Sequence, residues 1–315
     1  MEIFWTVLFS GVQLFFILLF SPLVQGVIKK TKAVMQNRVG PPLLQPYYDL
    51  MKYLKKDSVV SKQASWLTRF TPYLLFALIL SAGLFIPTFL PISPLGGWGD
   101  FLAVVYLFGL ARFFTALTAY DAGGSFGGMG ASREMALSAF GEGAFLFTAF
   151  AVLFVVGTTQ LNFLAPDLLA HHWGWENPAY WLTFVAMLIV LIAETGRIPV
   201  DNPDTHLELT MIHEGMLLEY SGRHLGLVHW AAMMKQFLFL SLFLQFFFPW
   251  GVPEKMSVGL LLLSILLFLG KIFLIGFFLG LIETLYAKIR LFKVPRLFLS
   301  AMFLAFLAMI IHLAL

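Results

Sequence analysis

The chain has 315 residues, 60% of them hydrophobic and only 12% charged, with a formal net charge of +3. Soluble domains carry about 25% charged residues, so this mixture excludes a water-soluble fold and points to an all-α polytopic membrane protein. The absence of cysteine excludes disulfides, thiolate metal sites and iron–sulfur ligation from this chain, so any electrons must be carried elsewhere.

About 20 apolar residues cross the hydrocarbon core as a helix. Eight stretches qualify, at 3–26, 71–90, 101–120, 134–157, 179–197, 230–250, 258–280 and 296–315, all within one integral-membrane domain spanning 1–315. The first lacks a basic leader and reads as a retained span rather than a signal peptide. After it, residues 36–56 read QNRVGPPLLQPYYDLMKYLKK. The prolines break any early helix, and beyond Pro46 the spacing of Tyr47, Leu50, Met51 and Leu54 predicts a short amphipathic helix in the membrane plane. It either links two spans or forms a docking platform, in which case Arg38 and Asp49 are peripheral-arm interface residues.

Arg112 sits in the third span, Glu142 in the fourth, Glu194 and Lys235 near the inner ends of the fifth and sixth, and Lys271 in the seventh. Ionised groups in hydrocarbon cost about 2.5–3.5 kcal/mol on insertion scales and call for a reason. Lys235 and Glu194 can snorkel, or Glu194 can pair with Arg197 one turn on. Arg112, Glu142 and Lys271 are too deep for that and are either inert ion pairs or parts of an ion path. Between the third and fourth spans, DAGGSFGGMGASRE at 121–134 lacks the GxxxxGK[ST] pattern of phosphate loops and reads as flexible or closely packed backbone. Ser132 is placed to cap the helix that follows. HHWGW at 171–175 reads as an outer interfacial segment.

The fifth span leads into IPVDNPDTHLELTMIHEGMLLEYSG, residues 198–222. Asn202 and Pro203 make a good helix start, and a helix through about Tyr220 is predicted. Asp201, Asp204, Glu208, Glu214 and Glu219 crowd this long acidic loop, beside His206 and His213. Crowded carboxylates repel, which moves proton affinities toward neutral pH, so the loop is either a solvated acidic face or a proton-exchanging cluster. The two histidines are a poor metal pair, and no metal site is expected.

Lys and Arg concentrate at 27–70 and in later loops of the same side, while the opposite loops hold only Lys255. The bias places the basic loops in the cytoplasm and both termini outside.

Three blocks carry a resemblance: MQNRVGPPLLQPYYDLMKYLKK, GGMGASREMALSAFGEGAF and AETGRIPVDNPDTHLELTMIHEGMLLEYSG. In this order they resemble the membrane subunit of energy-converting group 4 NiFe hydrogenases, the family of hydrogenase-4 component C and formate hydrogenlyase subunit 4. That family is in turn related to subunit 1 of respiratory complex I. The resemblance implies an eight-helix anchor in the inner (cytoplasmic) membrane, between hydrogenase-like large and small subunits with an iron–sulfur subunit and antiporter-like membrane subunits. The NiFe centre and iron–sulfur clusters belong to those partners; no cofactor is expected in this chain, and no nucleic acid. ETGRIPVDNPD matches the family's Glu-Thr-x-Arg-x-Pro-x-Asp motif, carrying Glu194, Arg197 and Asp201 into an implied proton relay. LLEYSG carries Glu219, and Glu142 takes the place of the fourth-span acid. Pro-Asp-Thr-His-Leu-Glu-Leu replaces the Glu-Gly-Glu-Ser-Glu-Leu of complex I relatives, and the first cytoplasmic loop lacks their longer insertion. Both departures favour the hydrogenase type; the alternative is a quinone-site subunit of a complex I-like oxidoreductase.

Overall fold

A computed structural model describes residues 2–89, 95, 100–171, 173–202, 211–251 and 258–314. Helices account for nearly all of the regular structure there, with no strand among the described residues. The chain is an all-helical, multi-pass membrane protein.

In chain order the helices are α1 (Glu2–Met35), α2 (Gln45–Leu54), α3 (Trp66–Ala82), α4 (Phe101–Asp121), α5 (Ser125–Val156), α6 (Leu164–Ala170), α7 (Pro178–Glu194), α8 (His213–Leu217), α9 (Gly222–Phe247), α10 (Val258–Leu285) and α11 (Val294–Ala314). Eight of them, α1, α3, α4, α5, α7, α9, α10 and α11, stand where the eight apolar stretches were predicted. Six are long and apolar enough to cross a bilayer by that measure alone; α3 and α7 have 17 residues each. Seventeen residues make about 26 Å of helix, at the short end of what spans.

Local chemistry sets several ends. The Asp100 carboxylate accepts from the Leu102 and Ala103 amides at the start of α4, Ser65 caps α3, and Asn177 precedes Pro178 at the first position of α7. The left-handed Gly196 ends α7 short of its predicted limit of 197. The second span also departs from its prediction. Its helix stops at Ala82, and residues 83–89 continue without helix yet mostly buried; Pro87 disfavours the helical region for the residue before it.

The glycine segment is not a loop. α5 begins at Ser125, so Gly127, Gly128, Gly130 and Ser132 are all helical, and Ser132 caps nothing. The helix predicted from Asn202 to Tyr220 falls largely on 203–210, outside the described residues. Met211 and Ile212 are not helical, and only five residues, His213–Leu217, form α8. On α2 the inward face is Pro46, Leu50 and Tyr53, with Tyr53 stacked on His229, while Met51 and Leu54 are exposed. α9 is the centre of the bundle. Two-thirds of its apolar window is buried, against about a fifth for α11, and Phe237, Phe239, Phe243 and Phe246 on it form much of the core.

Candidate functional site

Two helices bring carboxylates to Arg112 on α4. Its guanidinium donates to Glu142 of α5 at 2.8 Å, is paired with Glu194 at the end of α7, and has Nε 3.3 Å from Glu134 of α5. Lys235 on α9 donates to the same Glu194 oxygen at 3.0 Å. Two cations thus face three carboxylates. Arg112 and Glu194 are almost fully buried, whereas the Glu142 side chain is 42% exposed. Glu142 therefore reaches the outer wall of the bundle while still holding a cation in its interior.

A second cluster forms just past α7. The left-handed turn at Gly196 aims Arg197 away from Glu194. Arg197 donates to Glu283 of α10 at 2.7 Å, to Gln236 of α9 at 2.9 Å, and to Gln25 of α1; Lys32 lies 3.4 Å from the other Glu283 oxygen. The predicted Glu194–Arg197 pair is thus replaced by two separate pairings. Asp201 follows on the same loop. It accepts from Lys288 at 2.7 Å, from the Asn202 amide at 2.8 Å and from the His213 amide at 3.1 Å, so it holds the start of α8.

Both clusters open onto one cavity of about 430 Å³ beside α2 and α8, at one end of the bundle. Arg112, Glu194, Arg197, Asp201, His213, Glu214 and Lys235 line it, joined by Glu134, His229, Lys32, Gln236 and Glu283. The cavity thus gathers carboxylates held by shared cations. Among the described residues no group of His, Asp and Glu side chains is placed to hold a metal ion.

The remaining predicted residues lie elsewhere. Asp204, His206 and Glu208 are outside the described residues. Arg38 is exposed, and half-buried Asp49 accepts from Gln45 within α2 at 2.9 Å. Glu219 lies against Gly124 rather than in the cavity. Beside it, burial pushes the Tyr220 phenol up to about 12, so it stays protonated at neutral pH. Lys271 does not join the cavity; its ammonium donates to the Phe248 and Trp250 carbonyls just past the C-terminal end of α9 and lies over the Trp250 ring.

Sequence reasoning overlooked Glu134, Glu283, Gln25, Gln236, Lys32 and His229. Glu283 had a readable signal: a carboxylate in the last turn of an apolar helix opposes the helix dipole and needs a cation, as Glu194 does. The glutamines had none, because a lone amide in an apolar run is as often a local hydrogen-bonding group.

The family described as NADH dehydrogenase matches residues 9–314. This chain belongs to that family. Formate hydrogenlyase subunit 4 of Escherichia coli K12 is 32% identical over 310 residues, covering 98% of this chain and 99% of the relative. Hydrogenase-4 component C of the same organism is 32% identical over 287 residues, covering 91% and 89%. One subunit of the NADH-quinone oxidoreductase of Chlorobaculum parvum is 26% identical, covering 81% and 74%. A solved chain of the membrane-bound sulfane sulfur reductase, an archaeal respiratory membrane complex, superposes with a TM-score of 0.85 at 20% identity, covering 97% and 98%, which shows a shared fold. The predicted kinship with the hydrogenase-4 and formate hydrogenlyase subunits therefore holds over essentially the whole chain.

Proposed function

We propose that this chain is the membrane-anchor and energy-coupling subunit of a hydrogenase-4 or formate hydrogenlyase-like complex. It links redox chemistry in a peripheral arm to movement of protons or sodium ions by neighbouring antiporter-like membrane subunits. The NiFe centre and iron–sulfur clusters belong to partner chains, and the complex sits in the cytoplasmic membrane with both termini of this chain outside. The near full-length identity to the two hydrogenase-type relatives supports the assignment.

The observation that carries the coupling role is the single Arg112 guanidinium shared by Glu134, Glu142 and Glu194. With three carboxylates on two cations, a proton gained at a cavity-side acid relieves repulsion on the others and loosens their hold on protons. Occupancy at Glu194 or Glu134 is in this way linked to occupancy at Glu142 on the bundle's outer wall, which is the form a coupling between two sites takes. His213, Glu214 and Asp201 lie on the cavity side, where a peripheral arm would act.

The test is a pair of variants in the assembled complex reconstituted into liposomes. Glu142→Gln should leave hydrogen turnover near wild type and lower ion uptake about tenfold, equivalent to roughly 1.4 kcal/mol of coupling. Asp201→Asn should do the same, its one amide oxygen still accepting on one side, whereas Asp201→Ala would release both Lys288 and α8 and so confound assembly with coupling. Normal pumping by both variants would sink the relay. Quinone-dependent turnover by the purified complex would replace the hydrogenase reading with the complex I-like one.

A further inference from the structure

The other end of the bundle holds a second polar site that the coupling role does not use. Residues 83–89, beyond the end of α3, run unwound through the protein with Ile86, Thr88 and Phe89 buried. Non-helical backbone survives at membrane depth only where protein groups satisfy it. Here three helices supply the donors. Gln13 of α1 donates to the Gly83 and Ile86 carbonyls at 2.6 and 2.7 Å. Gln245 of α9 donates to the Pro87 and Thr88 carbonyls at 3.1 and 3.3 Å, and Ser264 of α10 to the Phe89 carbonyl at 2.6 Å.

Three side-chain oxygens around the segment are left over, and Gln13 Oε1 is the one outside the pocket shared by the other two. Thr88 Oγ1 and Gln245 Oε1 are buried without a partner among the described residues, and both residues line a pocket of about 10 Å³ together with Ser264, Phe268 and Lys271. The two carbonyls bonded by Gln245 Nε2 fix the amide's orientation, so Oε1 is the atom left without a partner. The pocket is distinct from the larger cavity. On α1 Phe16 lies between Gln13 and Gln25, and on α9 Phe237 lies between Gln236 and Gln245. Their rings pack with Phe268 at centroid distances of 6.0 to 6.2 Å.

We propose that the pocket among Thr88, Gln245 and Lys271 binds one water molecule, which completes the hydrogen bonding of the unwound segment. A water needs about 10–15 Å³ and two to four polar partners, and the pocket meets both conditions. The occupant donates to Gln245 Oε1, bonds the Thr88 hydroxyl and accepts from Lys271, whose ammonium has one proton beyond its two carbonyl bonds. A bare cation would be repelled by that ammonium.

Thr88→Val is the test, because it keeps the shape and removes only the hydroxyl's hydrogen bonding. In the assembled, detergent-purified complex the melting temperature should fall by about 2 °C, as the water loses a partner. A rise or no change overturns the proposal, since deleting an orphan hydroxyl from a dry pocket is neutral or stabilising. Independently, a cryo-EM map that resolves other internal waters should show a peak about 2.7–3.2 Å from both oxygens, and a blank there refutes the site. Replacing sodium chloride with choline chloride should leave melting unchanged; a sodium-dependent gain would assign the pocket to a cation instead.

Discussion

Arg112 holds three carboxylates with one guanidinium, and the cost of removing it follows from the partners left behind. Glu194 is buried and would keep only Lys235, while Glu134 would lose its cation. Stranding a buried charge costs about 3–5 kcal/mol, so Arg112→Met should lower the melting temperature of the purified complex by several degrees. Adding Glu134→Gln removes a carboxylate left without its cation and should restore part of the loss. Equal melting of the single and double variants would show that the pair is not the source of the cost. The need for such partners was legible in the sequence, because ionised groups in apolar runs are expensive; their pairing was not. Glu194 and Arg197 are three residues apart and would meet on a continuing helix, but the left-handed Gly196 sends Arg197 to Glu283, 86 positions away. A turn at one glycine decides which carboxylate meets which cation.

At the level of elements, the glycine segment shows how packing overrides propensity. Gly is poor inside helices by about 1 kcal/mol, and 121–134 reads as flexible or closely packed backbone, yet 125–134 is the first part of α5, with the close packing present. The reason is contact with α8: a Cβ on Gly130 would stand 2.9 Å from the Ile212 carbonyl oxygen and 3.1 Å from the Met216 amide. Backbone touches backbone there, as small residues permit between membrane helices. Gly130→Ala should displace α8, speed hydrogen exchange of its amides and cost about 1–3 kcal/mol of stability. Gly143→Ala in the same helix is the control. Its added methyl would meet only the flexible Met302 side chain at 3.7 Å, so exchange at α8 should stay at the wild-type rate. Matching behaviour of the two variants would assign the first effect to helix propensity rather than to the close approach. The unwound 83–89 segment escaped sequence reading for the opposite reason. Gly83 and Pro87 hint at it, but the donors that make it tolerable come from Gln13, Gln245 and Ser264, remote in sequence.

For the molecule as a whole, hydropathy located eight apolar helices, six of them long enough to cross by that measure, and left their ends uncertain, because ends depend on packing and caps rather than on apolar content. α9 begins at Gly222, well before the predicted 230, since its first turns pack on α2 and α3. Orientation rests on a different signal, the gathering of Lys and Arg on one side. The chain has no cysteine, so single-cysteine variants report sidedness against a silent background. Lys55, exposed just after α2, and Trp175, 83% exposed between α6 and α7, fall on opposite sides if eight spans alternate. A membrane-impermeant maleimide should label Trp175→Cys in spheroplasts and Lys55→Cys only in inverted vesicles. Labelling of both from one side would remove a crossing among α3, α4 and α5, the helices that include those carrying Arg112 and Glu142. The route proposed from the cavity through Arg112 to the outer wall needs α4 and α5 side by side across the bilayer, so this experiment tests the frame on which the coupling variants depend.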